Sequence, residues 1–372
     1  MPSSAAMTQG LRKGALPAPP SFPRTRYLGS KRKLASAIVR ALRGLKFHTV
    51  LDAFGGTGAV AYALKAEGKS VTYNDILAFN HQIGLALIEN DDHRLDGETI
   101  SSIGERRPGR RYEPLIAETF RGIYFTDEEN EWLDVAVGNI RAIVDRYHRA
   151  IAWFALFQAA LAKRPYNLFH RRNLYMRTAD VRRGFGNKAT WDRSFNEHFR
   201  AYAQEANRAV IHSKAACRAA CADALALAPE YDLVYIDPPY VSARGVGVDY
   251  RDWYHFLEGL MRYDEWVDLI DRDSRHRRLL RRVDPWSNPL TCREAFGAVV
   301  SHFRRSSLVV SYRSDGIPTL DELTALLRDT KRHVEAIELS RYQYALSTNR
   351  KSCESLLIGT DREVHGDLRN RP

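Results

Sequence analysis

The stretch YDLVYIDPPY, residues 231–240, ends a hydrophobic strand with an acid, two prolines and a tyrosine. Asp232 to Ile236 reads as a buried strand, because its apolar run is short and bounded by turn formers. The corner at its end is suited to chemistry on the exocyclic amine of a base. The lone pair of such a nitrogen is delocalised into the ring, so the amine is a poor nucleophile. A carboxylate accepting one N–H and a backbone carbonyl accepting the other would localise that lone pair toward an incoming electrophile. Asp237 can supply the first acceptor and the Pro238 carbonyl the second. Pro238 and Pro239 fix φ and lack N–H groups, so the corner is stiff and its carbonyls can face a site. Tyr240 offers a ring for a flat base to stack on. A base inside a duplex must be everted to reach such a pocket. The plainer reading is a tight turn with Asp237 as its cap.

A second set of residues lies upstream. In DAFGGTGAVA, residues 52–61, Gly56, Gly58 and Ala61 fit a G-x-G-x-x-G/A turn between a strand and a helix. Glycines there permit positive φ and a close approach of backbone amides to a ligand. Asp75 ends the next strand, where an acid can accept both ribose hydroxyls of a nucleoside. This pattern alone is shared by NAD, FAD and S-adenosylmethionine enzymes. A phosphate-binding P-loop does not fit, since no Gly-Lys-Ser/Thr is present after the turn.

Together, these residues resemble the Dam-type DNA adenine-N6 methyltransferases, from about Arg26 to Gly359, in the order with the cofactor motif first and Asp-Pro-Pro-Tyr after the target-recognition region. The resemblance implies S-adenosylmethionine as methyl donor, no metal, and catalysis by Asp237, Pro238, Pro239 and Tyr240. RYLGSKRKL resembles the family's N-terminal segment, whose aromatic and lysine touch the cofactor; these fall on Tyr27 and Lys31. The glycine loop implies cofactor contacts from Asp52, Phe54, Gly55, Gly56 and Gly58. Asp75 matches the ribose-binding acid, Asp223 the acid that meets the cofactor's adenine amine, and Asp237 borders the cofactor as well. VVSYRSDGIPT and YALSTNRKSCESLLIG look like the last strands of restriction-associated members. The resemblance thus implies a monomeric, cytoplasmic, nucleoid-associated enzyme acting on double-stranded DNA, alongside a restriction endonuclease. Lys31 has a physical reading of its own. An ammonium at a helix start opposes the helix dipole, so it serves better to neutralise a carboxylate such as the donor's.

The elements that must position these residues are legible in outline. Residues 1–22 read as a disordered leader and 361–372 as a tail. A helix begins at Ser30, and strands are expected at His48–Phe54 and Ser70–Asp75, with a helix between them. This β-turn-α-β unit predicts a parallel sheet. Residues 81–214 read as a mainly helical target-recognition insertion in a Rossmann-like α/β methyltransferase domain formed by 23–80 and 215–360. The sheet resumes with a weak strand near 215–222, the strong one before Asp237, Ser306–Tyr312, and two late strands, 334–346 and 353–359, expected to pair antiparallel. ARGVGVDYRDWYHFLEGL, rich in glycine and arginine, is expected to be a mobile loop over the site.

The 372 residues carry a formal charge of +11, 56 Lys+Arg against 45 Asp+Glu, which points to a polyanion. The basic run Lys163–Lys188 interleaves Tyr166, Phe169, Tyr175 and Phe185 with its cations, and is the expected DNA surface. Arg171, Arg172, Asn173 and Arg177 are its expected contacts. A second run, Arg272–Arg282, suits DNA-backbone binding or a charged helix. The four cysteines have no zinc-ligand spacing and suit a reducing compartment. No apolar run is long enough to span a membrane. The alternatives are an N4-cytosine or RNA adenine methyltransferase, a nicotinamide dehydrogenase, and a non-catalytic DNA-binding module.

Overall fold

Side chains alternate across a strand, so a strand that is apolar at every position must be covered on both faces. Val50, Val71, Leu233, Tyr235 and Val309 enter one buried cluster, while their neighbours Leu51, Val234, Ile236, Leu308 and Val310 enter a second. The computed structural model of the protein describes residues 21–180, 188–341 and 352–361. Outside these fall the leader to residue 20, Phe185, strand positions 342–346 and the tail from 362.

The strands are β1 (Thr49–Asp52), β2 (Ser70–Asn74), β3 (Arg218–Ala220), β4 (Leu233–Ile236), β5 (Val241–Ser242), β6 (Ser307–Arg313), β7 (Gly316–Ile317), β8 (His333–Arg341) and β9 (Cys353–Thr360). Seven form one sheet in the order β3-β2-β1-β4-β6-β9-β8, and β5 pairs separately with β7. The first five are parallel. β9 runs antiparallel between β6 and β8, as expected for the two late strands. The result is a mostly parallel, Rossmann-like α/β sheet. The strand order reverses between β1 and β4, and crevices at such switch points are where open α/β sheets hold ligands.

From residue 78 to residue 209 the described chain forms helices and no strand. The helix Arg146–Ala162 is apolar on nearly every side and buried from Ala150 to Ala162, the pattern of a core helix. Its Phe157 shares the cluster that holds Val50 and Val71 of the sheet. The helical region and the sheet therefore build one continuous core. No helix among the described residues is long and apolar enough to cross a membrane.

Two expectations are corrected. The segment after Asp-Pro-Pro-Tyr is a loop only over residues 243–249; its remainder forms helices Tyr250–Trp253 and His255–Met261. Tyr254, Phe256, Leu257 and Leu260 are buried, and their helical spacing outweighs the glycine and arginine content. Arg272–Arg282 is no helix; Ile270 and Leu279 bridge antiparallel, and Arg278 is tied back to Asp271 at 3.0 Å.

Tyr73 of β2 props up the glycine turn from below. Its buried hydroxyl donates to Gly56 O at 2.7 Å, with Asn80 O at 3.1 Å. A Cβ on Gly55 would fall 2.1 Å from the Tyr73 ring, and one on Gly84, on the following helix, 2.4 Å from it. The ring is thus wedged between two residues that have no side chain, and cannot yield toward either. Gly55→Ala is expected to lower the unfolding free energy by about 1–3 kcal/mol. An unchanged urea midpoint would show that the ring has room to move.

Candidate active site

β1 and β4 are neighbours with Asp52 opposite Tyr235. The residues that leave their C-terminal ends, the glycine turn and Asp237, therefore emerge side by side. Gly56 and Gly58 have φ of +51° and +75°, a region open to glycine at little cost. Gly58 then caps the helix Ala59–Ala66. Asn74 stitches the strand ends together: its Nδ2 donates to Ala53 O at 3.1 Å and to Ala222 O at 3.0 Å.

These ends surround a cavity of about 290 Å³ lined by Asp52, Phe54, Gly55, Gly56, Asp75 and Asp223, together with Tyr27, Lys31 and Asp237–Tyr240. Every expected catalytic and cofactor residue except Gly58 borders it. Phe54 meets Trp286 edge to face at 4.8 Å. Tyr27 stacks on Tyr254 at 4.6 Å and on Tyr250 at 5.4 Å. Asp223 caps a short turn, accepting from Leu225 N at 2.9 Å.

Asp75 is largely occupied. Its Oδ2 accepts from Gly56 N at 2.9 Å and Asn80 Nδ2 at 3.0 Å, and its Oδ1 accepts from Leu77 N at 2.8 Å. A carboxylate has about four acceptor positions, so one remains open. Burial pushes the Asp75 pKa up to about 6 against these hydrogen bonds. Burial, with the charges of Asp237 and Asp75, pushes Asp52 up to about 8. Asp52 Oδ1 is buried with no hydrogen-bond partner among the described residues.

At Asp237 the geometry is that of a clamp. Lys31 Nζ donates to Asp237 Oδ1 at 2.8 Å and to the Tyr240 hydroxyl oxygen at 2.6 Å. The Tyr240 hydroxyl lies 2.6 Å from Asp237 Oδ1 and 2.8 Å from Glu354 Oε1. Glu354 also lies 3.5 Å from Lys31 Nζ and accepts from Ser311 Oγ at 2.6 Å. Burial opposes the Lys31 charge, but Asp237 and Glu354 outweigh it and raise its pKa. Burial raises Asp237 to about 6, with Lys31 pulling down and Glu354 pushing up. Asp237 Oδ2 has no partner among the described residues. The Tyr240 ring packs edge to face on Tyr312 at 4.9 Å while Lys31 sits over its face.

Sequence reasoning missed Glu354 and gave Lys31 a different task. The ammonium expected to wait for a ligand carboxylate is already paired with two protein carboxylates. Within SCESLLIG the signal is an acid two residues before an apolar run, which looks like a strand end facing solvent.

In the basic segment, Arg171 and Arg172 are exposed, with Arg172 Nε donating to Gly122 O at 3.1 Å. Tyr166 and Tyr175 are 53% and 68% exposed, while Phe169 belongs to the core. Asn173 and Arg177 turn inward. Arg177 pairs with Glu129 at 2.6 Å. Asn173 is buried and its Oδ1 accepts from Arg164 Nη2. Arg164, itself buried, also donates to Tyr124 O, Leu168 O and Arg171 O at 3.0–3.1 Å. Elsewhere in the helical region His93, Asp145 and His148 bring potential ligand atoms within 4.8 Å of one another; Asp145 there caps the helix Arg146–Ala162.

A family model described as D12 class N6 adenine-specific DNA methyltransferase matches residues 27–266. The chain is 26% identical over 358 residues to the type II methyltransferase M2.HphI of Haemophilus parahaemolyticus, covering 91% of this chain and 98% of that one. It is also 26% identical over 346 residues to the modification methylase LlaI of Lactococcus lactis subsp. lactis, covering 88% of this chain and 52% of that protein.

Truncating Asn173 leaves a buried guanidinium short of an acceptor. Asn173→Ala is expected to cost about 1–3 kcal/mol in a urea melt and to leave the salt dependence of DNA binding as it is. A stable variant with a flattened salt dependence would return Asn173 to the DNA surface.

Proposed function

The chain belongs to the D12 class of N6 adenine-specific DNA methyltransferases, and we propose on that premise that its cavity takes S-adenosylmethionine and an everted adenine side by side. The observation that carries the reading is the asymmetry of Asp237. One oxygen is clamped by Lys31 and Tyr240, and the other has no partner among the described residues on a wall shared with Asp75 and the glycine turn. A carboxylate held this way can accept an adenine N6–H and then the proton that N6 sheds, the bonding pair staying on nitrogen. The Pro238 carbonyl is read as the second acceptor, Pro239 as the brace, and Tyr240 as the aromatic contact for the base.

The residues fit the donor. When bound, S-adenosylmethionine supplies an electrophilic methyl carbon on a positively charged sulfur. Asp52, Asp75 and Asp237 border one cavity, and the charges of the last two raise the Asp52 pKa beyond what burial does; a cation relieves that repulsion. The unpartnered Asp52 Oδ1 is of the same kind. Asp75 has room to accept one ribose hydroxyl where the sequence suggested two. Tyr27, Phe54, Gly55, Gly56 and Asp223 are read as the remaining donor contacts, with Gly58 setting the turn. Lys31 spends its charge on Asp237 and Glu354, so the reading assigns it to them instead of the donor's carboxylate.

Residues 81–214 are read as the target-recognition region, with Arg171 and Arg172 against DNA phosphates. Phe169 N donates to Trp253 O at 3.0 Å, beside Tyr250 and Arg251 on the cavity wall, so these arginines and the cavity are joined through one packed segment. The names of the two relatives lead us to read the chain as the modification arm of a restriction-modification system, acting on duplex DNA beside a separate endonuclease.

Asp237→Asn is expected to reduce methyl transfer at least about a hundredfold while duplex binding persists. Full activity would remove the role. A folded-state pKa raised to about 6 means the carboxylate stays protonated to a higher pH than usual. Single-turnover rates should therefore fall as pH drops through 6, and a rate flat to pH 5 would contradict this. Replacing Arg171 and Arg172 by Gln should reduce the slope of log K against log salt by about 0.9 for each phosphate no longer neutralised. An unaltered slope would move the DNA surface elsewhere. Long-read mapping of N6-methyladenine in DNA from expressing cells would identify the target sequence.

A further inference from the structure

Glu354 lies outside the family match, on the antiparallel strand β9, and is fully buried. Its neighbours on that strand, Leu356, Leu357 and Ile358, are core residues. Burying a carboxylate is costly, and an apolar side chain at such a position is often as stable or more so. The contacts of Glu354 indicate what the charge does. Its Oε1 draws on the Tyr240 hydroxyl at 2.8 Å and the Lys31 ammonium at 3.5 Å, the two donors that clamp Asp237.

A tyrosine hydroxyl carries one proton. With Asp237 Oδ1 at 2.6 Å and Glu354 Oε1 at 2.8 Å, Tyr240 can donate fully to only one of them. Lys31 likewise divides its charge between two acids. Each share taken by Glu354 is a share withdrawn from Asp237, and the Glu354 charge itself opposes ionisation of Asp237.

We propose that Glu354 is a positioning residue that keeps Asp237 basic enough to take the proton leaving the substrate amine. It does so by competing with Asp237 for Lys31 and Tyr240. The proposal rests on the reading of Asp237 given above. The other titratable groups around Asp237 are Lys31 from the turn Lys31–Lys33, Tyr240 from its own corner, the Tyr235 phenol of β4 and Asp52 of β1. Of these groups and Glu354, it is Glu354 that reaches both donors of Asp237, the Tyr240 hydroxyl at 2.8 Å and the Lys31 ammonium at 3.5 Å. The direction agrees with the upward push that Glu354 gives Asp237.

The test is Glu354→Gln, which keeps the shape and removes the charge. In protein labelled with 13C at aspartate carboxyls, free of donor and DNA, the Asp237 signal should titrate about one pH unit lower than in the native chain. The acid limb of single-turnover methyl transfer should move down by the same amount, with a lower plateau, because Asp237 has become a weaker base. Glu354→Asp withdraws the charge by one methylene and should shift both in the same direction by less; it also serves if the Gln variant does not fold. A folded variant whose Asp237 titration is unmoved, or moves upward, overturns the proposal. If Asp237→Asn retained methyl transfer, the catalytic reading would fall, while the 13C titration would still decide whether Glu354 controls Asp237.

Discussion

The parallel pairing of β1 with β4 is the constraint on which the site depends. Asp52 and Asp237 are far apart in sequence, yet the Asp52–Tyr235 register brings the two strand ends together. Neither the glycine turn nor the Asp-Pro-Pro-Tyr corner makes a site alone. The first offers backbone amides and buried carboxylates, the second a carboxylate clamped by Lys31 and Tyr240, and only together do they line the cavity. The sheet brings them together because β2 and β3 lie on one side of β1 and the later strands on the other side of β4. Both motifs follow the C-terminal ends of their strands, so both open into one cavity. The helical region between β2 and β3 leaves and re-enters on the β3 side and leaves the junction intact.

That cavity is acidic, and its acids are held in different ways. Asp75 is tied down by two backbone amides and Asn80, Asp52 is buried with an unpartnered oxygen, and Asp237 is paired with a lysine. A wall of carboxylates is expensive without a cation, and the molecule places one permanently, Lys31 at 6% exposure. Its pairing with Asp237 does more than neutralise charge. It fixes one oxygen, and hence the plane of the carboxylate, without using the other. A free aspartate at a strand end would have to lose that orientation entropy when substrate arrived.

Much of this is legible in the sequence, and the reasons for the rest are physical. The corner 237–240, the glycine turn and Asp75 can be placed because each follows an uninterrupted apolar strand, and strand ends in parallel sheets are where function collects. The order of the late strands is also readable. Burial of polar groups is not. Arg171 and Arg177 have the same side chain in the same basic run, but one faces solvent and the other meets Glu129, a helix away. Asn173 looks like a base-reading residue and is instead spent on Arg164. Glu354 escapes assignment because its partners come from residues 31, 240 and 311, and no local pattern records a meeting of three distant segments. The helices at 250–261 are hidden for a simpler reason: glycine and arginine content masks a helical apolar period.

The inward-facing members of the basic segment explain why its outward-facing members can be useful. Tyr166 and Asn167 have positive φ, 63° and 56°, a conformation that ordinary residues hold only when their surroundings impose it. Arg164, buried just before the turn, ties down the chain that follows it, donating to the carbonyls of Leu168 and Arg171. A long arginine on a loose loop would lose much of its binding free energy to ordering. Arg171 and Arg172 leave a backbone that is already ordered. The order extends inward through Phe169, which is hydrogen-bonded to Trp253, and through the stack of Tyr250 and Tyr254 on Tyr27. The cavity wall and the surface that carries Arg171 and Arg172 thus belong to one packed unit. Such a unit holds a fixed distance between those arginines and the cavity, which a flexible basic tail could not do.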